Sequence, residues 1–130
     1  MAKANILVLY QELSQYFLDC VSVLTAKSEG ETVIIARDKS DEAPFQFTIA
    51  KNIRVVSRSS LSYSQMNKLL VELEPQLIFV GGWADHEYLK LARGYNKSVT
   101  KLLGFDNHWD ASFRKLLGSL YFRLFIRSIF

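Results

Sequence analysis

Residues 5–21 read NILVLYQELSQYFLDCV. The first part, Asn5–Tyr10, is a continuous apolar run of strand length. A strand with one wet face alternates; an unalternated run is buried on both faces, as in the middle of a parallel sheet. From Leu13 to Lys27 the spacing changes. Leu13, Tyr16, Phe17, Cys20, Val21 and Leu24 recur at three- and four-residue intervals, which predicts a helix with one apolar face. Cys20 falls on that stripe and is expected in the core as a small hydrophobe.

The same alternation of strand and helix continues outward from this opening. Gly30 predicts the end of the helix, and Glu31–Ala36 a second strand. Arg37–Glu42 is a charged loop. In the APFQF stretch that follows, Phe45 and Phe47 point one way, and Pro44 argues against a central strand. Ile53–Val56 is a short strand. Ser62 can cap a helix over Tyr63–Leu73 with Met66, Leu69, Leu70 and Leu73 inward, and Pro75 closes it. Leu77–Val80 is a further buried strand, a short helix starts at Ala84 or Asp85 and runs to Tyr95, and Val99–Gly104 is another strand. A long last helix follows Trp109, with Asp110 as its cap. This order predicts a single α/β domain over residues 1–130: an open parallel sheet with right-handed crossovers and helices on both faces.

Composition agrees with a globular domain. The 130 residues are 49% apolar and 22% charged. Residues 1–65 carry seven basic and seven acidic side chains, and residues 66–130 nine and six, so the net charge of +3 arises in the second half. That excess is too small, and groove-reading motifs too absent, to predict nucleic-acid binding. The single cysteine excludes an internal disulfide or a Cys-based metal site and suits a reducing, cytoplasmic setting. No signal peptide or membrane span is read. The terminal LFIRSIF lacks a polar tail, which suggests a domain cut from a longer chain or one that pairs with a partner, a second copy included.

Ligands of open parallel sheets bind beyond the carboxyl ends of the strands. Three turns supply that edge here: Gln11–Ser14, Gly81–His86 and Phe105–Trp109. The first, YQELSQ, holds no glycine, so a dinucleotide fingerprint or phosphate cradle is not expected. Glu12 alone does not supply a receiver's acidic cluster. The other two turns combine glycines, Trp83 and Trp109 for stacking, and Asp85, His86, Asp106 and His108 for hydrogen bonding or proton transfer. Asp85 reads equally as a helix cap and as a functional carboxylate. No recognised ligand spacing points to a metal. The tail Phe113–Phe130 interleaves Arg114, Lys115, Arg123 and Arg127 with large apolar residues and has no acid. Such a helix is either a core helix with a basic rim or one that lies on an anionic membrane.

Together, NILVLYQELSQYFLDCV, APFQF, LIFVGGW with Asp85, and LLGFDNHWDASFR resemble the N-terminal half of bacterial glycosyltransferases of the GT-B architecture, in the large family 4 group. The resemblance implies a Rossmann-like acceptor-side domain, a metal-free enzyme, and a nucleotide sugar as substrate rather than a bound cofactor. It implies that a C-terminal donor domain completes the enzyme and that this chain alone does not transfer sugar. By position it assigns catalysis to Asp106 and Asp85, and binding of a glycan or lipid-linked acceptor to Glu12, Gly82, Trp83, Asn107, His108 and Trp109. It favours membrane docking through Arg114, Lys115, Arg123 and Arg127, at the inner face of the cell membrane. The glycine-rich first loop of many relatives is missing from YQELSQ. The other reading is a non-catalytic Rossmann-like binding or interaction module.

Overall fold

The computed structural model describes residues 3–38, 46–96, 98–104 and 112–130. Its strands are β1 (Ala4–Leu9), β2 (Glu29–Ala36), β3 (Ile53–Ser57), β4 (Leu77–Gly81) and β5 (Thr100–Gly104). Its helices are α1 (Gln15–Ser28), α2 (Tyr63–Leu73), α3 (His86–Gly94) and α4 (Phe113–Tyr121), the last running on through a π turn at Phe122–Ile126. The strands form one parallel sheet in the order β3-β2-β1-β4-β5. The order reverses beside β1, so β1 and β4 flank the switch point.

The unalternated runs feed two cores. Leu7, Leu9, Val33, Ile35, Ile78 and Val80 point to the face covered by α2, α3 and Ile126. Their neighbours Ile6, Val8 and Ile34 point to the face covered by α1. Helices on both faces of a parallel sheet make the chain a three-layer Rossmann-like α/β domain. Each fully buried aliphatic side chain contributes roughly 1.5–3 kcal/mol, so the central strands dominate stability. On α2, Ser62 Oγ accepts from Gln65 N at 3.2 Å and Gln65 Oε1 accepts from Ser62 N at 2.8 Å, the reciprocal bonds of a capping box.

Two expectations are corrected. The buried face of α1 is Leu18, Val21 and Thr25; Cys20 is exposed and Tyr16 is 80% exposed. The face is set by Thr25, whose hydroxyl donates to Val21 O at 2.8 Å and pairs with Thr32 Oγ1 at 2.6 Å. A threonine so satisfied buries at little cost, and it turns the cysteine outward. Gly30 does not end α1. Glu29 takes the left-handed position (φ 56°), while Gly30 lies against β1, where a Cβ would fall 1.9 Å from Ala4 O.

Phe47 packs on the α1-side core, and Gln15 holds Thr48 through both its backbone N–H and its carbonyl. Pro44, Phe45 and Asp110 lie outside the described residues. The residue in the cap position of α4 is Ser112. This helix turns Ile126 into the core and Phe113, Leu116, Leu117, Leu120 and Leu124 outward. Among the described residues no helix is long and apolar enough to cross a membrane.

Candidate functional site

The carboxyl ends of β1, β4 and β5 and the start of α1 enclose a cleft of about 770 Å³. Three rings form its floor. Tyr10 and Phe17 stack with centroids 3.9 Å apart, and Phe79 sits 6.5 Å from Tyr10 and 6.0 Å from Phe17. All three are half-buried and line the cleft. Two glycines make room for them. Gly81 and Gly104 face each other in register at the ends of β4 and β5. A Cβ on Gly81 would fall 2.2 Å from the Tyr10 ring, and one on Gly104 would fall 2.5 Å from the Phe79 ring. Gly82 serves differently: at φ +97° it makes the left-handed turn that releases the chain from β4.

Past Leu9 the chain stays beside β2, with Tyr10 N donating to Ile35 O and Arg37 N donating to Gln11 O, both at 2.9 Å. This directs Gln11, Glu12 and Leu13 into the cleft wall. Ser14 caps α1 by accepting from Phe17 N at 3.2 Å. Glu12 is exposed, and Tyr16 stands at the rim. The amide Nε2 of Gln11 is closed off from solvent and has no hydrogen-bond partner. An orphaned buried donor of this kind costs about 1–3 kcal/mol.

Trp83 lies between this cleft and α4. It lines the cleft, and its indole covers Gly118, where a Cβ would fall 2.5 Å from the ring. Its ring centroid is 5.8 Å from that of Tyr121.

Asp85 caps α3. Its Oδ1 accepts from Glu87 N at 3.0 Å and Tyr88 N at 3.3 Å, and its Oδ2 accepts from Arg58 Nε at 3.1 Å. Arg58 also donates to Leu61 O at 3.1 Å and to Glu87, and lies over the Tyr88 ring. Burial works against the Arg58 charge, but Asp85 and Glu87 outweigh it and hold the guanidinium pKa above its ordinary value. The Tyr88 hydroxyl reaches Tyr10 O at 3.0 Å and Ile35 O at 3.1 Å. Burial raises its pKa, the Asp85 charge adding to the shift and Arg58 and Arg37 opposing it. The cluster thus ties the start of α3 to the β1 end that carries the cleft floor. At the end of β2, Asp38 accepts from Ser57 and Ser59, whose hydroxyls hold its pKa below the ordinary carboxylate value.

Of the residues assigned from sequence, Glu12, Gly82 and Trp83 come together in the cleft. Asp85 is the α3 cap and partner of Arg58, and His86 is exposed. Asp106, Asn107, His108 and Trp109 lie outside the described residues. Arg114, Arg123 and Arg127 are exposed on α4 and its extension, and Lys115 is half-buried. Among the described residues no group of three or more His, Cys, Asp or Glu side chains could hold a metal ion.

Sequence reading placed Gln11 in the ligand-bearing turn but missed Tyr10, Phe17, Phe79, Gly104 and Arg58. The aromatics were absorbed into strand and helix patterns. A signal for Gly104 existed: strands that both end on glycine, once aligned, leave room for rings above them.

No family model and no curated protein matches the chain. Among solved structures, the Bordetella bronchiseptica enzyme WbmH in complex with NAD+ is similar over 68% of this chain, at 13% identity and a TM-score of 0.43. The chain spans about a third (35%) of that protein's length. The class defined by strand order and core is a Rossmann-like α/β domain, with its cleft at the switch-point edge.

Proposed function

We propose that the chain is the acceptor-binding domain of a sugar transferase, holding a glycan or lipid-linked acceptor against a nucleotide sugar carried by a separate donor domain. The observation that supports this reading best is the half-exposed aromatic cluster of Tyr10, Phe17 and Phe79 at the ligand-bearing edge. Flat aromatic faces suit the C–H face of a sugar ring. The turn beside them, YQELSQ, has no glycine with which to cradle a pyrophosphate.

In this reading Asp106 takes the proton of the acceptor hydroxyl. Asp85, with both oxygens engaged, positions the Gly82–Trp83 turn. Glu12, Asn107 and His108 supply hydrogen bonds, and Trp83 and Trp109 flank the ring. The outward apolar stripe of α4, flanked by Arg114, Lys115, Arg123 and Arg127, rests on the anionic inner face of the cell membrane. Because Trp83 packs on that helix, docking would bring the cleft to a lipid-borne acceptor.

The test is steady-state kinetics of the enzyme that carries this domain. Tyr16→Ala, at an exposed rim position, should raise the acceptor KM several-fold and leave the donor KM unchanged. Asp106→Ala should lower turnover far more than donor affinity. A donor KM that rises while the acceptor KM holds would assign the cleft to the wrong substrate. Absence of any transfer by the chain joined to its natural neighbours would favour a non-catalytic binding module.

A further inference from the structure

Resting on the acceptor-cleft reading above, we propose that Gln11 is the specificity-determining residue of the cleft and that its ligand is an uncharged or amine-bearing pyranose. The ring packs against the half-exposed Tyr10–Phe17–Phe79 cluster, and a ring hydroxyl accepts a hydrogen bond from the Gln11 amide.

Two independent observations carry this. The first is charge. Among the described residues that line the cleft, Glu12 is the one formally charged side chain, and it is an acid. It stands two residues ahead of Ser14, the cap of α1. Among the described lining residues a phosphate brought there would meet a carboxylate and no cation. A neutral sugar meets no repulsion, and an amino sugar gains a partner in Glu12.

The second is the unpaired amide. Gln11 Nε2 is buried without a hydrogen-bond partner, although the residue as a whole is only half-buried and forms part of the cleft wall. Buried polar groups are almost always satisfied, by protein or by water, and one without a protein partner is a place where a ligand can supply the bond. The amide hangs on a flexible side chain, so a rotation about its own bonds turns the nitrogen into the cleft. A ligand hydroxyl there relieves the orphaned donor, and ligands lacking that hydroxyl leave it stranded. A site built to satisfy a buried donor rejects the analogue that cannot do so far more sharply than an apolar pocket rejects a change of shape.

The experiment is isothermal titration of the chain with methyl glycosides of neutral and amino sugars, and with the corresponding sugar phosphates. Thermal melting of the unliganded protein runs alongside. Wild-type protein is expected to bind at least one methyl glycoside and to bind its phosphorylated counterpart at least tenfold more weakly. Gln11→Met, similar in length but without donors, should weaken glycoside binding about tenfold or more while the unliganded melting temperature holds or rises. Gln11→Leu, which also lacks a donor and adds no charge, should weaken it likewise and serves if the methionine variant folds poorly.

A Gln11→Met protein that binds like wild type overturns the proposal. So does a lowered melting temperature in both variants with affinity retained, which would make the amide a structural group. Tighter binding of the sugar phosphates overturns the ligand class. If wild type binds no sugar at all, the acceptor reading itself falls and takes this proposal with it; if wild type binds and the variants are indifferent, the acceptor reading stands and Gln11 alone is wrong.

Discussion

Arg58 follows β3 and Gln11 follows β1, both at the carboxyl edge of the sheet, and their polar groups meet opposite fates. Arg58 donates to Asp85, Glu87 and Leu61 O and lies over the Tyr88 ring. Gln11 leaves an amide nitrogen buried and unpaired beside a cleft. Both regions are rich in polar residues at the ligand-bearing edge of an α/β sheet. What separates them is satisfaction: the Arg58 cluster directs its hydrogen bonds within the protein, while the cleft keeps an unpaired donor beside half-exposed rings. Polar residues at a strand end thus divide into support and site by their partners, not by their type.

The contrast breaks most visibly if the support is removed. Arg58→Met leaves the Asp85 and Glu87 carboxylates without their cation, and Asp85 has a side chain only 12% exposed. Removing one partner of a well-buried pair costs about 3–5 kcal/mol, and partial exposure reduces this to about 2 kcal/mol. Denaturant unfolding should show that loss; a change below about 0.5 kcal/mol would mean that the cluster supports nothing.

The aromatic cluster gives a sharper comparison between neighbouring glycines. Gly81→Ala drives a methyl into the Tyr10 ring and should cost about 1–3 kcal/mol and disturb the cleft floor. Gly82→Ala meets no atom within 4 Å but must hold φ near +97°, a strain of about 1–3 kcal/mol. Stability losses of similar size with a much larger loss of sugar binding in the first than in the second would separate floor from hinge. Equal binding losses would merge them.

A smaller effect is expected at Tyr88. Its folded pKa is raised above the ordinary 10.0, so below that pH its phenol is protonated in both states and its contribution is fully present. As the pH rises past 10.0 the unfolded chain ionises first and the contribution is lost. Tyr88→Phe should lose about 1 kcal/mol at neutral pH and then decline less than wild type on going alkaline. A parallel decline would show that Tyr88 does not carry the alkaline sensitivity.

The sheet was legible because its central strands are unalternated runs flanked by helix-period segments; Asn5–Tyr10 and Leu77–Val80 are read within a residue or so of their observed bounds. The α2 cap was legible for a local reason, Ser62 standing three residues ahead of Gln65. Failures came where a distant partner decides. The face of α1 depends on Thr25 meeting Thr32, and Gly30 on the carbonyl of Ala4. Arg58 reaches partners 27 and 29 residues on, at a spacing no local pattern marks. The Gly81–Gly104 pair exists only once β4 and β5 are aligned. For Asp85, sequence could offer both cap and functional group, and the structure supplies the cap bonds and the Arg58 pairing.

The cleft, and not the Arg58 cluster, is the proposed seat of the ligand. The most direct measurement is amide and side-chain chemical-shift mapping by NMR during titration with a methyl glycoside. The largest shifts are expected at the Gln11 side-chain amide, Tyr16, Gly82 and the Trp83 indole, with Arg58, Asp38 and the outer face of α4 unmoved. Shifts centred on Arg58 and Asp38, with Gln11 silent, would contradict it.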